Sequence, residues 1–300
     1  MGAKAAAVSE MLLALELAPS DPSLLVGAAM VEFQADRLDD ALKHAEKAGD
    51  NPTAKAVAGD IQEKRGNFAE AADAYREAVR LAPGQEEYRV TLAYDLIQHQ
   101  NFQSAVELLE QSAPLFPASA RIRTLLGIAQ YSNSDVDEAT ASLVEAITAD
   151  PKVESAYRSL AQIVLQSSAA PPPAVIEHLC RWNATICSAL KLRVAREKDD
   201  PAMQNEAIAG LKRAPGDDPI ARCELARAWE WTNRLQEART EMEACLRFDA
   251  SPQNHYRMGL IYKRLGLNDL SQGEMDQRKR MLQKMSEESA LGLKTLKAFH

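Results

Sequence analysis

Apolar residues recur at helical spacing along nearly the whole chain. Between Glu87 and Gln98, Leu92, Ala93 and Leu96 fall on one face of a helix. A polar stretch, Gln100-Asn101, interrupts the pattern, and Ala105, Leu108 and Leu109 resume it on a second helix. Pro117 ends the pair, because a proline cannot continue a helix. In the preceding copy the interruption is Gly66-Asn67, and both residue types accept the left-handed conformation that ends a helix. The pattern predicts consecutive helix pairs and essentially no strand.

The pairs repeat with a fixed period. Ala71, Ala105 and Ala139 are spaced by 34. Pro83, Pro117 and Pro151 keep that spacing, and Pro219 lies two periods further on. Gly59, Ala93, Gly127, Ala161 and Ala195 mark a third phase. Agreement of three phases on one number is the signature of a repeat architecture. Looser copies start at Asp36-Arg37-Leu38, Asn233-Arg234-Leu235 and Gly266-Leu267-Asn268, giving about seven units between residues 22 and 280. A loop is expected at Ser167–Pro173. The run from Ala174 to Lys198 holds no breaker and predicts a long helix or a distorted junction.

The pattern resembles the tetratricopeptide repeat family, in its bacterial form. The resemblance rests on the small-residue series from Gly59 to Ala195, the turn aromatics Phe68 and Phe102 and the series Ala71, Ala105, Ala139, Ala207 and Ala238. Tyr75, Ala78, Ala146 and the terminal prolines add to it. The family's tryptophan at the start of the first helix is replaced by Arg89, Arg123 or Arg222. The resemblance implies an all-α, right-handed superhelical solenoid with a concave side lined by the first helices. It divides the chain into an N-terminal helix at 1–21, a solenoid at 22–271 with an irregular middle near 166–200, and a C-terminal capping helix and tail at 272–300.

Composition narrows the partners. The chain is acidic, with a formal net charge of −8, which disfavours phosphate backbones and so nucleic acid. Aromatics are only 5%, as close-packed helices allow. No apolar run has the roughly 18 residues of a membrane span. Glu10 and Glu16 break up the N-terminal apolar stretch, so no secretory signal is read, and the cytoplasm is the default compartment. A fragment of an exported protein would look the same.

Catalytic and metal motifs are missing, and the expectation is a protein without enzymatic activity, cofactor or metal. Ser188-Ala189-Leu190-Lys191 matches a penicillin-binding tetrapeptide, without the companion motifs that would support it. Cys180, Cys187, Cys223 and Cys245 read as reduced, packed thiols. On a continuous helix Cys180 and Cys187 would lie about 10.5 Å apart along the axis, too far to share one zinc. His44, His99 and His255 read as isolated surface or helix-end residues. Asn183-Ala184-Thr185 is a glycosylation sequon in an apolar stretch. Arg278-Lys279-Arg280 reads as the wet face of a terminal helix.

The expected function is a protein–protein interaction scaffold. The stripe beside the packed face of the first helices holds Val90, Tyr94 and Ile97, then Thr124, Ile128 and Tyr131, then Arg158, Gln162 and Leu165. The resemblance would place this stripe in the concave groove, where a peptide segment of a partner docks on Tyr94, Ile128 and Tyr131. The alternative is that superhelical curvature buries these side chains. Flanking units offer Ala56, Asp60 and Glu63, and Cys223, Arg227 and Glu230. Apolar and acidic groups at Ala56, Asp60, Val90 and Tyr94 argue against the family's clamp for a C-terminal carboxylate. Met275, Leu282, Met285, Leu293 and Leu296 share a stripe on the last helix, which either caps the solenoid or joins two copies in a homodimer.

Overall fold

The computed structural model describes residues 2–166 and 170–298, with side chains at 6–166 and 170–285. The described residues form seventeen helices and no strand. After α1 (Gly2–Leu17), helical hairpins follow one another: α2 (Pro22–Gln34) with α3 (Leu38–Lys47), α4 (Pro52–Arg65) with α5 (Phe68–Leu81), α6 (Glu86–Gln98) with α7 (Phe102–Ser112), and α8 (Ala120–Ser132) with α9 (Val136–Ala149). The helices α10 (Glu154–Gln166) and α11 (Pro173–Trp182) come next. Then come hairpins α12 (Ala184–Glu197) with α13 (Pro201–Lys212), α14 (Pro219–Trp231) with α15 (Leu235–Leu246), and α16 (Pro252–Arg264) with α17 (Asn268–Ala298). The architecture is an all-α repeat solenoid. It divides into two compact units, Met1–Ile163 and Val164–His300.

The two helices of a hairpin begin differently. Most first helices open on a side-chain cap: Asp21, Asn51, Ser119, Asp218 and Ser251 each accept a backbone N–H of the first turn, whereas α6 behind Gln85 has none and the second helix α13 is capped by Asp200. Second helices follow a left-handed turn residue instead: Asp36, Gly66, Gln100, Ser134, Asp199, Asn233 and Gly266, with φ between 48° and 80°. Two of these are glycine, so the turn geometry is kept where the residue type is not.

Inside six of the hairpins a small residue seven positions before that turn meets the second helix. Ala29, Ala93 and Ala226 are fully buried there, and Gly59, Gly127 and Gly259 hold the equivalent places. Ala41, Ala71, Ala105, Ala139 and Ala238 face them from the second helices with no exposed surface. Ala195 does not belong to this series. It lies four residues before Asp199, and the close approach in α12/α13 is made by Gly210, where a Cβ would fall 2.2 Å from Ser188 Oγ. Pro219 is likewise out of phase, because it begins α14, whereas Pro83, Pro117 and Pro151 each precede their helix by three residues.

The stretch after Ala174 is not one helix. Asn183 leaves the helical conformation (φ −145°, ψ 120°), ends α11 and caps α12 by accepting from Ile186 N–H at 3.0 Å. That break folds Cys180 onto Cys187, and the two are disulfide-bonded with Cα atoms 4.3 Å apart. Cys223 on α14 and Cys245 on α15 form a second disulfide. The expectation of four reduced thiols is therefore overturned. That expectation rested on the small number of cysteines, whereas two bridges between sequence-adjacent helices need no wider framework.

The arginines that stand for the family tryptophan do related work. Arg89 donates to Pro83 C=O at 3.3 Å and to Ser112 Oγ at 3.2 Å. Arg123 reaches Ser119 C=O and Glu145, and Arg222 reaches Gly216 C=O and Glu241. Each guanidinium ties the entry of its first helix to the second helix, by hydrogen bonds where an indole would use area.

The last helix, α17, runs unbroken for 31 residues from Asn268 to Ala298. Its start covers the preceding helix: Ser271 Oγ donates to Gly259 C=O at 2.8 Å, and Met275 Cε sits against Gly259. Further along, Leu282 and Met285 are 42% and 55% exposed. Leu293 and Leu296 lie outside the described side chains. No helix among the described residues is long and apolar enough to cross a membrane.

Candidate functional site

Two pairs of first helices touch within the N-terminal unit, α2 on α4 and α6 on α8. A cleft of about 420 Å³ opens along the second contact. Its lining repeats with the period of the chain. The α6 wall is Glu87, Val90, Thr91 and Tyr94, the α8 wall is Arg121, Thr124, Leu125 and Ile128, and Ser155 of α10 closes one side. Each α8 residue is the α6 residue moved by 34 positions, which is why one helix face faces its own copy.

Chemically the cleft is apolar with one polar edge. Val90 and Thr124 are buried in its floor, and Thr124 Oγ1 donates to Ala120 C=O at 2.7 Å, leaving no free hydroxyl proton in the floor. Tyr94 stands 60% exposed on the rim. Arg121 and Glu87 bridge the edge at 2.8 Å. Their hydrogen bond holds the Glu87 carboxyl below its ordinary range and raises the Arg121 guanidinium, so the pair stays charged.

Of the nine residues named from the sequence, the structure brings Val90, Tyr94, Thr124 and Ile128 together. Ile97 turns to the core with Leu92, Leu96 and Leu126, and Tyr131 is half-buried outside the cleft lining. Arg158 and Gln162 are exposed, and Arg158 pairs with Glu154 at 2.6 Å. Leu165 packs against the core of the C-terminal unit with Ala189, Leu192 and Trp229. Seven residues carry the third member of a stripe about 10.5 Å along the axis from the first, so Ile97 and Tyr131 fall outside the cleft lining, and the α10 stripe contributes none of its three residues. Sequence reading missed Glu87, Arg121, Thr91, Leu125 and Ser155. A signal existed for the first two: opposite charges one period apart.

The flanking positions are engaged elsewhere. Asp60 accepts from Tyr75 Oη at 2.8 Å. Glu63 meets His99 at 2.9 Å, so His99 is not isolated, and neither are His44 and His255, which pair with Glu32 and Glu274. Cys223 is in a disulfide, and Arg227 and Glu230 pair with Glu224 and Arg257.

The tetratricopeptide repeat model matches residues 62–127 and 96–164, the segment that builds the cleft. Residues 62–164 are tetratricopeptide repeats, and the helical hairpins on either side continue the same all-α repeat fold. Among solved tetratricopeptide repeat structures, the C-terminal part of a repeat-containing protein from Cytophaga hutchinsonii aligns with TM-score 0.55 at 16% identity, over 82% of this chain and 91% of that one. A repeat protein from Parabacteroides merdae gives 0.47 at 14%, over 90% and 93%. YrrB, described as a TPR protein with an unusual peptide-binding site, gives 0.44 at 18%, over 66% and 96%. The first of these shows a likeness of fold. No curated protein matches the chain.

Proposed function

We propose that this repeat protein is an interaction scaffold whose α6/α8 cleft takes a peptide segment of a partner protein. The observation that carries the reading is the placement of Tyr94: a large aromatic side chain, mostly exposed, above an apolar floor with a charged edge. Exposed apolar surface rimmed by charge marks binding sites, and tyrosine combines contact area with a polar handle. The Glu87–Arg121 pair offers a donor and an acceptor to the peptide backbone at one end. An apolar side chain of the segment would fill the space between Tyr94 and Ile128.

The test compares affinity capture by the wild-type chain and by Tyr94→Ala and Ile128→Asp, quantified by mass spectrometry, with thermal melts of all three. A partner lost from both variants at unchanged melting supports the cleft. Equal capture by all three discards it. A second reading, self-association through α17, is favoured by the exposed Leu282 and Met285. Light scattering separates it: an oligomer that Leu282→Glu/Met285→Glu reduces to a folded monomer supports that reading.

A further inference from the structure

Away from the cleft, three side chains converge at the turn end of the second and third hairpins. Glu63 comes from α4. Asp95 and His99 come from α6 and its C-cap, four residues apart and so on one helix face. His99 Nε2 lies 2.9 Å from both Oε1 and Oε2 of Glu63 and 3.9 Å from Asp95 Oδ1. One nitrogen and two carboxylate oxygens stand within 4.8 Å of one another.

The group lacks positive charge. Asp95 is 5% exposed, and its Oδ1, aimed at His99 and Glu63, is buried and accepts no hydrogen bond. An unmatched buried carboxylate oxygen is costly, and a second carboxylate opposite it adds repulsion. The nearest guanidinium acting on Asp95 is Arg76, an exposed side chain already bonded to Asp73 at 2.6 Å. His99 supplies at most one charge for two carboxylates. Burial and the neighbouring Glu63 charge accordingly push the Asp95 carboxyl up to about 6.

The geometry is that of a ligand set. Ligand atoms about 2.0–2.2 Å from a tetrahedral zinc stand roughly 3.3 Å from one another. The His99–Glu63 and His99–Asp95 separations, 2.9 Å and 3.9 Å, fall on either side of that value. The Phe68 ring stacks on the imidazole with centroids 4.0 Å apart, which sets its plane. Half-buried Glu63 and His99 leave a path from solvent. We propose that Glu63, Asp95 and His99 bind one divalent cation of the zinc class, with water completing the coordination, and that the ion fastens α4 to α6. A nitrogen–oxygen set of this kind suits zinc better than magnesium or calcium, which take oxygen alone. The proposal is independent of the cleft reading.

The experiment is titration calorimetry of tag-free, chelator-stripped, oxidised protein with zinc chloride, beside thermal melts with and without zinc. Expected are one saturable zinc per chain, a melting temperature raised by zinc, and at least a tenfold loss of affinity in Asp95→Asn and in His99→Gln. Asp95→Asn keeps the side-chain volume and removes a buried charge. Glu63→Gln, at a half-exposed position, gives a third variant should either misfold. His44→Gln and His255→Gln should bind as wild type. Absence of saturable binding in the wild type, unchanged affinity in the ligand variants, or loss on changing His44 or His255 would overturn the site.

Discussion

Tyr75 closes over Gly59 so tightly that a Cβ on residue 59 would sit 2.4 Å from its Cε1. The ring is held in place by the hydroxyl, which donates to Asp60 at 2.8 Å on the same helix as the glycine. Burial and the Asp60 charge both raise the Tyr75 phenol above its ordinary range, so the donor is retained. Gly127 repeats the relation against Leu143 Cγ at 2.6 Å and Ala139 C=O at 3.0 Å.

Gly59→Ala and Gly127→Ala should therefore destabilise the chain, although alanine is the better helix former by about 1 kcal/mol. Overpacking costs typically about 1–3 kcal/mol, and a net loss of about 1 kcal/mol is expected at each position. Gly259→Ala should be milder, because its nearest neighbour is the flexible end of Met275. Urea unfolding followed by circular dichroism ranks the three. A stabilised Gly59→Ala would refute the packing argument.

Glu224 is 3% exposed and receives Arg193 at 3.0 Å and Arg227 at 2.6 Å. Arg193 also donates to the carbonyls of Val164 and Leu165, tying the end of α10 to α12. Glu224→Ala strands a buried guanidinium and should cost about 3–5 kcal/mol. A loss below about 1 kcal/mol in chemical unfolding would mean that water reaches the group.

Both disulfides bear on stability. The Cys223–Cys245 bridge closes 22 residues between α14 and α15, and the chain-entropy relation assigns such a loop about 3 kcal/mol. Protein isolated without reductant and unfolded in denaturant should titrate no free thiol, and dithiothreitol should lower its melting temperature. Four titratable thiols would contradict the pairing.

The Asp95 carboxyl, pushed up to about 6 by burial and Glu63, holds its proton more tightly folded than unfolded. In chelator-treated protein the folded state binds the extra proton between pH 4 and 6, so stability falls as pH rises through that window. The groups facing Asp95 are Glu63, His99 and Arg76. The loss from this carboxyl is on the order of 3 kcal/mol at about 1.4 kcal/mol per pH unit. Asp95→Asn should remove that slope. An unchanged slope would show that the titrating group lies elsewhere.

The hairpins were legible because their determinants are local. The alanines and glycines of the contact and the turn at Gln100 sit at fixed offsets within one unit. Asn183 was not, since its role as cap and break depends on a backbone excursion that composition does not signal. Half of the cleft was legible from Val90, Tyr94, Thr124 and Ile128. The convergence of Glu63 with His99 was not, since it joins residues 36 apart through the stacking of two helices. The two stand near the turns of successive units but two positions out of phase, since the period is 34, so aligning the repeats does not pair them.

The left-handed turns also set where backbone strain lies. Glycine at 66 and 266 adopts that conformation freely, and asparagine and aspartate tolerate it, whereas Gln100 (φ 61°) and Ser134 (φ 76°) carry backbone strain of about 1 kcal/mol or more. In a stack whose stability is a sum of nearest-neighbour terms, such strain is not shared out along the chain. It weakens α6/α7 and α8/α9 in particular, the two hairpins whose first helices wall the cleft. The strain therefore falls beside Tyr94 and Ile128, where it subtracts from the stability of the hairpins that wall the cleft.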